Sequence, residues 1–112
     1  MRLLWYADAV SDLNEIYDYY VLLNSRAAAM LYNNILEDAE ILNSQPFIAP
    51  VEPLLEDLPE EYRSLVVAKG RFKLVYYIEN EVVFIVQVFS CRRNPERLKN
   101  TILRRYPKKS QL

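Results

Sequence analysis

Apolar positions recur at helical spacing between Val10 and Leu42, and in short β-rich blocks between Tyr62 and Ser90. Val10, Leu13, Tyr17 and Tyr20, with Ile16 beside them, form one stripe of a helix that Asp8 or Ser11 can cap. Asp12, Glu15 and Asp18 are expected on its solvent side. Asn24-Ser25 interrupts the pattern, and Ser25 is the expected N-cap of a second helix. The stripe of that helix is Ala28, Leu31, Ile35, Ala39 and Leu42, and the small Ala27, Ala28 and Ala29 would allow close packing. So short a connection predicts an antiparallel helical hairpin. Ahead of it, Arg2–Tyr6 reads as a short strand.

Residues 44–61 form an ordered connector, because Pro46, Pro50, Pro53 and Pro59 stop both helix and ladder. Its acids, Glu52, Glu56, Asp57, Glu60 and Glu61, read as a solvated rim, with Glu52 as a general base the minority reading. Tyr62–Val67, Arg71–Glu79 and Val82–Ser90 read as strands of an antiparallel meander, in which Tyr62, Tyr76 and Tyr77 are packing residues. A three-residue loop, Ala68-Lys69-Gly70, would set Arg63 opposite Val75 and Leu65 opposite Lys73. Arg63, Arg71 and Lys73 would then share one sheet face. Asn94 as N-cap, Pro95 at the first helical position and Glu96 after it start a last helix with a narrow stripe of Leu98, Ile102 and Leu103. The order is β-α-α-β-β-β-α, an α+β fold with the hairpin packed on a mainly antiparallel four-stranded sheet. The opposite sheet face, fringed by Arg63, Arg71, Lys73, Arg92 and Arg93, is expected to be a basic concavity.

Charge changes the picture more than composition does. Residues 1–61 carry Arg2 and Arg26 against twelve carboxylates, a net −10, whereas residues 62–112 carry twelve cations against Glu79, Glu81 and Glu96, a net +9. Such asymmetry points to an anionic partner: nucleic acid, an acidic protein segment or a membrane surface. Arg92 and Arg93 stand at a helix start, where cations oppose the dipole, so their placement needs a reason. At 112 residues the chain is expected to be one domain, 1–112. The absence of histidine excludes His-based catalysis and His-ligated metals, and the lone Cys91 cannot build a zinc site. No metal or other cofactor is expected. Without a long apolar run or a signal-like N-terminus, no membrane partner is expected and a cytoplasmic setting is.

Several blocks, taken in order, resemble the RelE/ParE superfamily of bacterial toxins. They are the aromatic first strand, Ala9…Asp12-Leu13…Ile16-Tyr17-Asp18-Tyr19, Ala39…Leu42…Pro46, Tyr62-Arg63-Ser64-Leu65-Val66-Val67, Lys73-Leu74-Val75-Tyr76-Tyr77, and Val88-Phe89-Ser90-Cys91-Arg92-Arg93-Asn94-Pro95. The resemblance spans nearly the whole chain. It implies the toxin of a type II toxin–antitoxin pair, of the kind that stabilises plasmids, neutralised by a cognate antitoxin encoded next to it. The antitoxin's acidic residues would pair with the basic half and its apolar anchors would lie beside the last helix. A homodimer or a toxin–antitoxin hetero-oligomer is compatible with this.

The superfamily implies two mechanisms. RelE-like and YoeB-like members cleave mRNA on the ribosome without metal: cations promote 2′-OH attack and stabilise the phosphorane, and a Tyr or His protonates the leaving oxygen. ParE-like members bind DNA gyrase and poison it. By this resemblance Lys73 matches an arginine of the nucleases, Arg63 sits near a strand lysine, and Arg92 and Arg93 fall where the last-strand arginine lies. Arg63, Lys73 and Arg93 are the catalytic candidates for a nuclease. Arg63, Arg71, Lys73, Arg92 and Arg93 are the binding candidates for either mechanism. Asn94 and Pro95 stand where YoeB-like chains carry His-Tyr, and neither can act as an acid. Tyr106 could supply a phenol only if the last helix folds over the sheet. Arg63-Ser64-Leu65 looks more ParE-like, so gyrase binding is expected ahead of ribosome-dependent mRNA cleavage. A simple nucleic-acid-binding module is the third class.

Overall fold

The computed structural model describes residues 1–106. Lys108 and Lys109, part of the basic half, lie outside the described residues. The elements are β1 (Arg2–Trp5), α1 (Ala7–Val21), α2 (Ser25–Ala39), a short α3 (Ile41–Ser44), a 3-10 turn (Pro53–Leu55), β2 (Arg63–Val67), β3 (Phe72–Glu79), β4 (Val82–Ser90) and α4 (Glu96–Arg105). The expected α+β order is present, with α3 and the 3-10 turn added in and before the proline-rich connector. The sheet order is β1-β4-β3-β2; β1 runs parallel to β4 and the other pairs are antiparallel. No helix among the described residues is long and apolar enough to cross a membrane.

The hairpin covers one sheet face. Ala9 and Leu13 of α1 and Leu31, Ile35 and Ala39 of α2 pack against Val67, Phe72, Leu74, Tyr76, Val83 and Ile85. Asn24 rather than Ser25 caps α2, its side chain accepting from Ala27 N–H at 3.0 Å. The N-cap of α1 is Tyr6, which makes no side-chain cap bond; Asp8 lies inside the first turn and Ser11 in the helix interior. Of the three alanines only Ala28 is buried; Ala27 and Ala29 are exposed, so one small residue serves the close approach.

The opposite face is not a basic concavity. It is a second apolar core of Leu55, Tyr62, Val75, Tyr77, Val86 and Phe89, closed by Leu98 and Ile102 of α4. The narrow stripe of α4 must be buried somewhere, and this face offers the matching apolar area. The start of α4 differs from the expected one: the helix begins at Glu96 with Pro95 as its N-cap and no side-chain cap bond, while the Asn94 side chain, one residue ahead, accepts from Glu96 N–H at 3.0 Å.

The β2–β3 register differs by one residue from the expected one. Arg63 pairs with Tyr76, Leu65 with Leu74 and Val66 with Lys73. The loop is longer than three residues and carries Ala68, Lys69 and Gly70 at φ 52, 55 and 87°. Two L residues in the left-handed region are unfavourable on their own. Asp38 of α2 helps hold them by accepting from Ala68 N–H at 2.8 Å. A one-residue shift reverses the faces. Arg63 therefore has the parity of the hairpin face and Lys73 that of the other, and the expected grouping of Arg63, Arg71 and Lys73 on one face does not occur.

Candidate functional site

The five cations singled out by the sequence fall into four environments. Arg63 is held locally. Its guanidinium donates to Ala49 C=O at 2.7 Å and to Glu61 at 3.0 Å, and it lies over the Phe47 ring at 5.1 Å. Lys73 is committed to a buried carboxylate: its Nζ lies 2.9 Å from Glu52 Oε1. Glu52 is only 2% exposed. It also accepts from Ser64 Oγ at 2.9 Å and Leu54 N–H at 3.1 Å. Burial pushes the Glu52 carboxyl up, but the hydrogen bonds from Lys73, Leu54 and Ser64, with the charge of Lys73, outweigh it and the net direction is down. Glu52 is therefore neither rim nor base. It stays ionised and ties the connector to β2 and β3.

Arg71 lies on the β2–β3 loop with its guanidinium 5.2 Å over Tyr20 of α1 and 5.9 Å over Phe72. Arg92 and Arg93 follow β4 and line a cleft of about 760 Å³ between α1, the end of β4, and α4. Two residues that the sequence reading did not single out join them, Arg97 and Arg104. The signal was available, since Arg93, Arg97, Asn100 and Arg104 recur at spacings of four, three and four, one helical stripe. None of these four arginines has an ion pair among the described residues.

The cleft floor is built by a defect in the sheet. β4 carries an irregularity: Tyr76 faces Ile85 but the neighbouring Val75 faces Gln87, leaving Val86 as the extra residue. β1 pairs with β4 only as far as Ile85, so the rest of this edge lacks a strand partner. Asp12 and Arg105 cover it. Asp12 accepts from Val88 N–H at 3.0 Å and from Arg105 at 2.6 and 3.0 Å, and Arg105 donates to Val86 C=O at 3.2 Å. Asp12, expected on the solvent side of α1, is thus mostly buried and locks α4 to α1. The pairing with Asp12 also raises the Arg105 pKa, against the effect of burial. Next to this pair Gln87 is 3% exposed, and its Oε1 has no hydrogen-bond partner among the described residues.

Tyr106 does return over the sheet. Its ring packs at 5.5 Å on Tyr6, and its hydroxyl donates to Val86 C=O at 3.3 Å and to Asp8 at 3.4 Å. Burial, then the charge of Asp8, push this phenol up, which makes it a poor proton donor. It is absent from the lining of the arginine cleft.

The sequence model of the family described as "ParE toxin of type II toxin-antitoxin system, parDE" matches residues 3–95. The chain belongs to this family. The match includes Arg63, Arg71, Lys73, Arg92 and Arg93 and ends at Pro95, so α4, with Arg97 and Arg104, lies beyond it. A solved structure, "Chromosomal ParDE TA system from P. aeruginosa", is similar in fold, with a TM-score of 0.68 and 24% identity. The similarity covers 80% of this ParE-family chain and 95% of that one. No curated protein matches the sequence.

Proposed function

We propose that this ParE-family chain acts by binding and poisoning DNA gyrase, without cutting RNA itself, and that a cognate antitoxin neutralises it. One observation favours gyrase over ribosomal mRNA: the Lys73–Glu52 pair at 2.9 Å. A cation that stabilises a phosphorane must be free to face the phosphate, and its field must not already be cancelled. Lys73 fails that requirement, and Arg63 is taken up by Ala49, Glu61 and Phe47. The phenol of Tyr106 is raised and turned to Asp8 and Val86. What remains is a binding surface, with Arg92 and Arg93 its main charges and Arg71 at its margin. An antitoxin segment rich in acids complements that basic half.

Expression of the full chain without its antitoxin tests the reading. Double-strand breaks, induction of the DNA-damage response and filamentation are the expected outcome. Immediate translation arrest with codon-positioned mRNA cuts would overturn the gyrase reading in favour of a nuclease. Normal growth would point to a plain nucleic-acid-binding module. Co-expression with the neighbouring small reading frame should restore growth and raise the melting temperature of the complex.

A further inference from the structure

Arg92, Arg93, Arg97 and Arg104 of the α1–α4 cleft, without an ion pair among the described residues, form a charge cluster that the fold does not explain. Arg92 and Arg93 sit before the N-terminus of the ten-residue α4, where the helix dipole adds to their repulsion instead of relieving it. Glu15 is the one carboxylate of the cleft lining outside the Asp12–Arg105 pair, too little to balance them. An anion in the cleft would relieve both the repulsion and the dipole. Guanidinium groups suit a phosphate in particular, because their planar donors bind its oxygens two at a time.

A second observation identifies more than a phosphate. Gln87 lines the cleft, is 97% buried by its 3% exposure, and leaves Oε1 without a donor. A buried amide with an unmet hydrogen bond is costly unless a ligand completes it. The orphan Oε1 is an acceptor, which the exocyclic amine of a nucleobase can meet as a donor. At the rim Tyr19 is 63% exposed, an open ring on which a base can stack. The cleft volume of about 760 Å³ suits a small ligand of this class.

We propose that the α1–α4 cleft binds a nucleoside phosphate unit, its phosphates on Arg92, Arg93 and Arg97 and its base between Tyr19 and the Gln87 amide. The unit can come from a free nucleotide or from the end of a nucleic-acid strand, and the two present the same chemistry. This site does not depend on gyrase being the target.

Calorimetric titration of the full chain with ATP, with pyrophosphate and with a short 5′-phosphorylated single-stranded oligonucleotide tests it. ATP or the oligonucleotide should bind about tenfold more tightly than pyrophosphate, through base contacts. The tighter of the two identifies the source. Arg92→Gln with Arg93→Gln should weaken both by at least about tenfold. Gln87→Leu should weaken ATP but leave pyrophosphate unchanged, with circular dichroism verifying that the variant folds. Arg63→Gln, outside the cleft, should change nothing. No binding of ATP or oligonucleotide at millimolar concentration would overturn the proposal. So would binding that survives the double arginine variant, or pyrophosphate binding as tightly as ATP.

Discussion

The cations of β2 and β3 and four of the arginines around α4 come from the same basic half of the chain but meet opposite fates. Lys73 and Arg63 are absorbed into the fold, one by a buried carboxylate and the other by a carbonyl, a carboxylate and a ring. Arg92, Arg93, Arg97 and Arg104 gather in a cleft with no ion-pair partner among the described residues. The difference lies in the acidic half. The connector brings Glu52 and Glu61 to β2 and β3 and Asp57 to Lys99, and α1 brings Asp12 to Arg105, but among the described residues no carboxylate pairs with Arg92, Arg93, Arg97 or Arg104. Charge that the fold neutralises stabilises structure. Charge that it leaves unmet is available to a partner.

The largest test of this contrast is Lys73→Met. It strands the Glu52 carboxylate at 2% exposure and should cost about 3 kcal/mol by denaturant unfolding. Glu52→Gln should cost less, about 1 kcal/mol, because the Lys73 side chain is 30% exposed and its ammonium can reach water. Equal losses would contradict this asymmetry. Arg105→Met comes next, at about 2 kcal/mol, since Asp12 keeps the Val88 N–H and some contact with water. Its unfolding should begin at α4, seen as early loss of amide protection there. The smallest stability effect belongs to Arg92→Gln with Arg93→Gln, which should stay within about 0.5 kcal/mol of the parent. The same pair should nevertheless relieve toxicity in cells expressing the chain alone. A parallel loss of stability would make these arginines structural.

The pH dependence sharpens the same comparison. The Glu52 carboxyl is held below its ordinary value of 4.5, so its contribution is full above that value. It is lost as pH falls through the folded pKa, because the unfolded chain then binds the extra proton. In Lys73→Met the hydrogen bond and charge of the ammonium are gone while burial and the bonds from Leu54 and Ser64 remain, so the carboxyl should rise from its depressed position and the acid loss of stability should shrink. Melting curves of both proteins between about pH 3 and 7 would read this directly. The double arginine variant should follow the parent.

Periodicity located the hairpin, the three-strand meander and the last helix, because stripes of Leu13, Leu31, Ile35 and Val83 can be buried in only a few ways. It missed the register of β2. That depends on how the backbone of Ala68 and Lys69 closes the loop, and Asp38, thirty residues before Ala68, helps decide it. Asp12 looked like a solvent residue because its helical position is at the edge of the apolar stripe; only the open edge of β4 gives it work. Arg97 and Arg104 were legible as a helical stripe with Arg93, but their number alone could not say which surface they face.

The sequence by itself determined the element types, their order, the separation of charge between the two halves, and the absence of histidine chemistry. These follow from local spacing and residue identity. Tertiary structure alone decided which cations are free. A charge is neutralised or left open by neighbours distant in the chain, as Glu52 lies 21 residues from Lys73 and Asp12 lies 93 from Arg105. Coulomb attraction depends on distance in space, and only the packed fold sets that distance.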